Sequence, residues 1–147
     1  RTPRDTGSAA GRRRELTRSG LSSNRDQLSY RRRDPYDLRE RFCSKHRELF
    51  ELALAEIQRG QKQNCWSWYI FPVPPRIADG KEQGSSKSCE YALRDRPPNG
   101  TCGHEAARAY LQFEADGVNL RANYLAIMTA VSEQLERGVT ALDLVGE

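Results

Sequence analysis

The sequence predicts a mainly α fold: a small single domain of about three principal amphipathic helices, with a short extended aromatic segment and long loops. Three observations lead there. Apolar and aromatic side chains recur at helical spacing in three stretches. Gly and Pro interrupt the chain where those stretches end. No internal repeat points to a repetitive architecture instead.

The first helix is expected to open at Asp34-Pro35-Tyr36-Asp37. Asp34 can cap it, Pro35 suits the first helical position, and Asp37 places a carboxylate in the positive first turn. Phe42, His46, Leu49, Phe50, Ala53 and Ile57 then trace one helix face, and Gly60 offers a left-handed stop. His46 lies on that apolar face and reads as a satisfied core or edge-of-core residue. In the following stretch, NCWSWYIFP (64–72), Trp66, Trp68 and Ile70 alternate with Ser67 and Tyr69. That period of two predicts an extended segment, ended by Pro72, Pro74 and Pro75. Residues 73–88 read as a loop, Tyr91 to Leu93 as a short apolar patch, and RDRPPNGTCG (94–103) as a second loop. A second helix is expected from about His104 to Ala115, with Ala106, Tyr110 and Phe113 on its face and Gly117 as its breaker. The third runs from about Asn119 to Arg137, with Leu120, Tyr124, Ile127, Met128, Val131 and Leu135 on one stripe and Gly138 as its stop.

Charge divides the chain in two. The formal net charge is +4, but residues 1–33 hold ten Arg against three acidic residues, a net of +7, while residues 34–147 carry a net of −3. A nucleic-acid groove would carry its positive charge on the folded part, so nucleic-acid binding is expected only through residues 1–33. That segment has few large apolar residues and many Ser, Gly and Arg, the composition of a disordered or extended tail. Residues 34–147 form the expected globular domain. No run of about 18 apolar residues suggests a membrane span, and no secretory core is visible. The Arg- and Ser-rich start has the composition of an organelle transit peptide without a clear amphipathic face. A cytoplasmic location is expected, with organelle import as the alternative. The chain opens on Arg1 rather than Met, which leaves room for residues upstream.

Cys43, Cys65, Cys89 and Cys102 form no C-x-x-C pair. Neither a metal nor a cofactor is expected, and the thiols are expected reduced.

The stretch NCWSWYIFP admits two roles. It can be core, since a tryptophan buries roughly 200 Å². It can also line a cleft for a planar, nucleotide-like ligand, with Ser85, Ser88 and Tyr91 adding hydroxyls. The candidate ligand-binding residues are Trp66, Trp68, Ser85, Ser88, Tyr91, Tyr110 and Arg121. Lys62 and Glu105 are the candidate catalytic pair. Ser85 and Ser88 adjoin no His–Asp pair in sequence, and neither phosphate-binding glycine motif is present. Catalysis is therefore left open. The chain is expected to bind a small molecule, with a protein partner and an anionic surface for the tail as alternatives.

Several motifs occur together. Ala53-Leu54, Glu56-Ile57 and Gly60-x-Lys62 precede Cys65-Trp66-Ser67-Trp68-Tyr69-Ile70-Phe71-Pro72. Ser85, Ser88, Tyr91, Ala92 and Leu93 follow, then Glu105-Ala106 with Ala109-Tyr110-Leu111, Leu120-Arg121 beyond Gly117, and a final Gly138, Ala141, Leu144, Gly146. In these features residues 34–147 resemble the domain-of-unknown-function family 1810, some of whose members carry the label calpastatin. The resemblance implies a shared fold more than an activity. The chain departs from the family pattern in having Cys65 where a His is usual, VPPRIADGKEQG in place of a Gln-x-x-Gly-Leu-Gly segment, and an insertion at about Arg96 to His104. The family usually continues beyond the final glycine with a Ser-Ser-Met-Thr-Leu-Phe stretch. A site needing that stretch is expected to be absent here or supplied otherwise.

Overall fold

The computed structural model describes residues 33–98 and 100–146. The basic segment therefore lies outside the described residues, apart from Arg33.

The fold is mainly α, as the helical spacing predicts, but its first helix starts later than expected. Buried Asp34 accepts hydrogen bonds from the backbone N–H groups of Leu38 (2.8 Å) and Arg39 (2.9 Å). It is a cap that reaches across an intervening turn. Asp37 takes a left-handed φ of 52°, a conformation that Asp tolerates, so neither Pro35 nor Asp37 sits in the first helical turn. A π-helical turn, Arg39–Cys43, then runs directly into α1 (Ser44–Gln58). The positive φ of Gly60 closes this helix.

The aromatic segment is not extended. It forms the single turn α2 (Ser67–Ile70), in which Ile70 N–H donates to the Trp66 carbonyl (3.2 Å) and Phe71 N–H to that of Ser67 (3.1 Å). The buried residues are Trp66, Tyr69 and Ile70, an i, i+3, i+4 set. The alternation of bulky side chains imitated a strand over too short a window for the two periods to separate.

The expected loop at 73–88 holds more structure than predicted. Strands β1 (Arg76–Ala78) and β2 (Lys81–Gln83) pair antiparallel around Asp79-Gly80, both left-handed. Helix α3 (Ser86–Tyr91) follows, capped by Ser85, and absorbs the first residue of the expected apolar patch. Helix α4 (His104–Leu111) ends before Ala115. A second small hairpin takes its place, β3 (Glu114–Ala115) with β4 (Val118–Asn119), again around a left-handed Asp-Gly pair, Asp116-Gly117. Two-residue Asp-Gly loops match the twist of a hairpin, which is why both positions turn there.

Helix α5 (Leu120–Glu136) agrees closely with the expected third helix, and the Asn119 side chain caps it by accepting from Ala122 N–H (3.0 Å). Its buried face is rotated from the predicted stripe. Leu120, Ile127 and Val131 are buried, as are Ala130 and Gln134, whereas Met128 (38%) and Leu135 (46%) are exposed. Gln134 is buried because its amide donates to the Gln58 carbonyl at the end of α1 (2.8 Å). A short last helix, α6 (Ala141–Val145), was not expected; Thr140 caps it at Asp143 N–H.

Two apolar clusters hold these elements together. In one, Phe50, Ala53 and Ile57 of α1 pack with Trp66, Ile70, Ile127 and Leu144. In the other, Leu38, Phe42 and Cys43 pack with Leu93, Tyr110 and Leu120. Helix α1 contributes to both directly or through the turn before it, and its main partner is α5. Among the described residues no helix is long and apolar enough to cross a membrane.

Candidate functional site

The two tryptophans of the aromatic segment have different surroundings. Trp66 is fully buried, and its indole N–H donates to Glu56 Oε2 at 2.7 Å. The same carboxylate accepts from Gln63 N–H (2.8 Å), Asn64 N–H (3.1 Å) and the Asn64 side-chain amide. Burial alone would raise the Glu56 pKa. The donors outweigh it, those on Gln63, Asn64 and Trp66 together bringing it down to about 2. Glu56 is thus a charged anchor that folds the loop after α1 back onto that helix. Trp66 is core.

Trp68, two residues on, points elsewhere. It is half-buried, and its N–H donates to Ser88 Oγ at 3.2 Å. Ser88 Oγ lies 2.9 Å from Ser85 Oγ, and Ser85 caps α3 by accepting from Ser88 N–H at 3.2 Å. Trp68 forms one wall of an open groove of about 450 Å³. Phe71 and Val73 continue that wall, Tyr124, Met128 and Val131 of α5 form the other, and Val145 and Gly146 close one end. Ser67 and Ser88 supply its hydroxyls, although Ser67 Oγ already donates to the Val145 carbonyl (2.6 Å). Lys87 Nζ stands 5.4 Å from the Trp68 ring centroid and donates to Tyr69 OH at 3.1 Å. That bond is the main reason the Lys87 pKa is raised.

The other sequence candidates fall in different places. Tyr91 packs edge-on against Tyr69 (4.6 Å between centroids) and Phe42 (6.1 Å), outside the groove. Tyr110 is fully buried, edge-on to Phe42 at 5.3 Å, and its hydroxyl lies 3.4 Å from His46 Nε2. Tyr110 is a core residue, and that burial pushes its phenol strongly upward. Arg121 is exposed in the first turn of α5 and does not line the groove. Lys62 lies over the Trp66 ring, 5.3 Å from its centroid, and Glu105 is exposed at the start of α4. Neither of these two candidate catalytic residues lines the groove. Conversely, Tyr124, Met128 and Val131 line the groove and were read from the sequence only as part of a buried stripe. Their i, i+4, i+7 spacing along one edge of α5 was the available signal.

His46 has the surroundings expected of a core histidine. It is buried, stacked on Phe50, and its Nε2 donates to the Tyr69 carbonyl (2.9 Å) while Nδ1 accepts from the Asn123 amide (3.0 Å). Both nitrogens are satisfied by the neutral ring with its proton on Nε2. Burial brings the pKa down to about 4. All four cysteines are free thiols, Cys43 buried and Cys65 and Cys102 exposed. Among the described residues no group of three or more His, Cys, Asp or Glu side chains converges as a metal site would.

No curated protein and no solved structure shows significant similarity to the chain. A family model described as "Protein of unknown function (DUF1810)" matches residues 35–145, and with its fold and aromatic segment the chain belongs to that family.

Proposed function

We propose that the domain binds a small, flat, partly apolar ligand in the groove beside Trp68, a nucleotide-like molecule being the class that suits it best. The observation that carries this reading is the division of labour between the tryptophans. Trp66 is sealed in the core, while Trp68 keeps a ring face toward an aromatic-walled groove of about 450 Å³ and has its N–H held by Ser88. A volume of that order suits a ligand of roughly nucleotide size. A planar ring can stack on the indole. Lys87, which already sits near that ring, offers a cation to an acidic group on the ligand. The reading is one of binding, because the groove walls hold hydroxyls and apolar groups but no paired acid and base. The free thiols favour a reducing, cytoplasmic-type compartment.

The test is native mass spectrometry of the gently purified chain, followed by titration with nucleobases and nucleoside monophosphates. A one-to-one adduct that is lost in Trp68→Ala, with unchanged circular dichroism, is the expected result. No adduct up to millimolar ligand, together with a clean apo mass after purification, would set the reading aside.

A further inference from the structure

Helix α5 buries one face and leaves a partly apolar stripe along its flank. Leu125 is 55% exposed, Met128 38% and Leu135 46%, and Ser132, also exposed, completes the run. With Arg121 ahead of them, positions 121, 125, 128, 132 and 135 advance by four, three, four and three. That alternation is the spacing found along the seam of a helix pair. The seam is charged differently at its two ends. Arg121 stands exposed at the start, and Glu136 stands exposed beside Leu135 at the finish.

We infer that this face is where a second copy of the chain docks, α5 against α5, antiparallel, with Met128 at the two-fold axis. The geometry follows from the helix rise of about 1.5 Å per residue. Met128 is midway between positions 121 and 135, so an antiparallel copy centred there places Arg121 beside the partner's Leu135 and Glu136. Leu125 then falls beside the second copy's Ser132 and Met128. Both ends gain an Arg–Glu pair, and the apolar residues meet in the middle. A parallel copy would bring Arg121 onto Arg121 and Glu136 onto Glu136, like charge on like, which the same positions disfavour. A two-fold pairing of one surface on itself is also the commonest form of self-association. Met128 belongs to both features, so the second copy would lie along one edge of the Trp68 groove. The inference does not depend on that groove being occupied.

The experiment is sedimentation equilibrium of the full chain over about 1–200 μM, with three variants. The wild type is expected to reach a dimer in this range, and Leu125→Glu is expected to weaken it at least tenfold. Arg121→Glu alone is expected to weaken it, and Arg121→Glu with Glu136→Arg to recover it, since the swapped pair has the same antiparallel complementarity. All three substituted residues are exposed, and unchanged circular dichroism checks the fold. A wild-type monomer at 200 μM overturns the inference, whatever else covers the face. So does a dimer indifferent to Leu125→Glu. A dimer lost in Arg121→Glu but not recovered by the charge swap overturns the antiparallel register.

Discussion

Glu56 is the residue on which the placement of Trp66 turns, and replacing it gives a graded prediction. One oxygen, Oε2, accepts from three donors and Oε1 from the Asn64 amide. In Glu56→Gln the amide oxygen can keep the three-donor position, and Asn64 can flip its own amide to meet the new NH2 group. What is lost is charge assistance on each bond, about 2 kcal/mol in total. In Glu56→Ala the buried indole N–H loses its acceptor and a cavity opens, for about 4 kcal/mol. The pH dependence separates charge from shape. A carboxyl held at about 2 when folded, against about 4.5 unfolded, contributes stability that is complete above 4.5 and lost as pH falls through 2. A shift of that size corresponds to about 3 kcal/mol, reduced to about 2 by screening at the loop edge. Urea denaturation of wild type and Glu56→Gln at pH 6 and pH 3 is the assay. The variant is expected to start about 2 kcal/mol lower and to lose less on acidification. His46 contributes equally in both proteins, so the difference isolates Glu56. A variant within 0.5 kcal/mol of wild type, with a parallel pH dependence, would refute the reasoning.

The tryptophans themselves should part ways. Trp66→Ala is expected to cost about 3–5 kcal/mol and Trp68→Ala only about 1–2, compared by denaturation midpoint; equal losses would contradict the assignment of one to core and the other to groove. His46 should stay neutral until about pH 4, so its stabilising contribution is complete above its unfolded value of about 6.5 and is lost as pH falls through 4. Its imidazole resonances, followed by NMR from pH 7 downward, should not shift near pH 6, and a midpoint there would contradict the buried, doubly bonded geometry.

What the sequence revealed and what it hid divide along one physical line. Long periodic stretches were legible: α5 ends within a residue or so of the expected limits, because seventeen residues give the helical period room to declare itself and Asn119 and Gly138 mark its ends. Asp34 was legible as a cap, yet not the turn it spans, since its carboxylate reaches residues four and five positions on. Short elements were not legible by period. Over five residues, Trp66 to Ile70 fit a strand as well as a helical turn, and only burial decides. The two Asp-Gly hairpins were legible in principle from their turn chemistry and were passed over because their strands are two or three residues long. The candidate pair Lys62 and Glu105 fared worst, because charge type and proximity to a motif carry no information about which cluster a side chain will join.

The groove illustrates why a site is harder to read than a core. Its walls come from residues 67–73, Ser88, 124–131 and 145–146, four parts of the chain with no sequence adjacency. Their meeting depends on side-chain to backbone bonds across those segments. Ser67 Oγ donates to the Val145 carbonyl, and Lys62 N–H donates to that of Asp143 (2.7 Å), so the last helix is docked against the aromatic turn from two directions. Glu56 fixes the start of the same turn from α1. The start of the turn is therefore held from both sides. Trp66, Tyr69 and Ile70 are buried in the core, while Trp68 lines the groove. On the proposed binding role, an aromatic held by its Ser88 bond meets a ligand without first having to order itself, the saving that preorganisation brings.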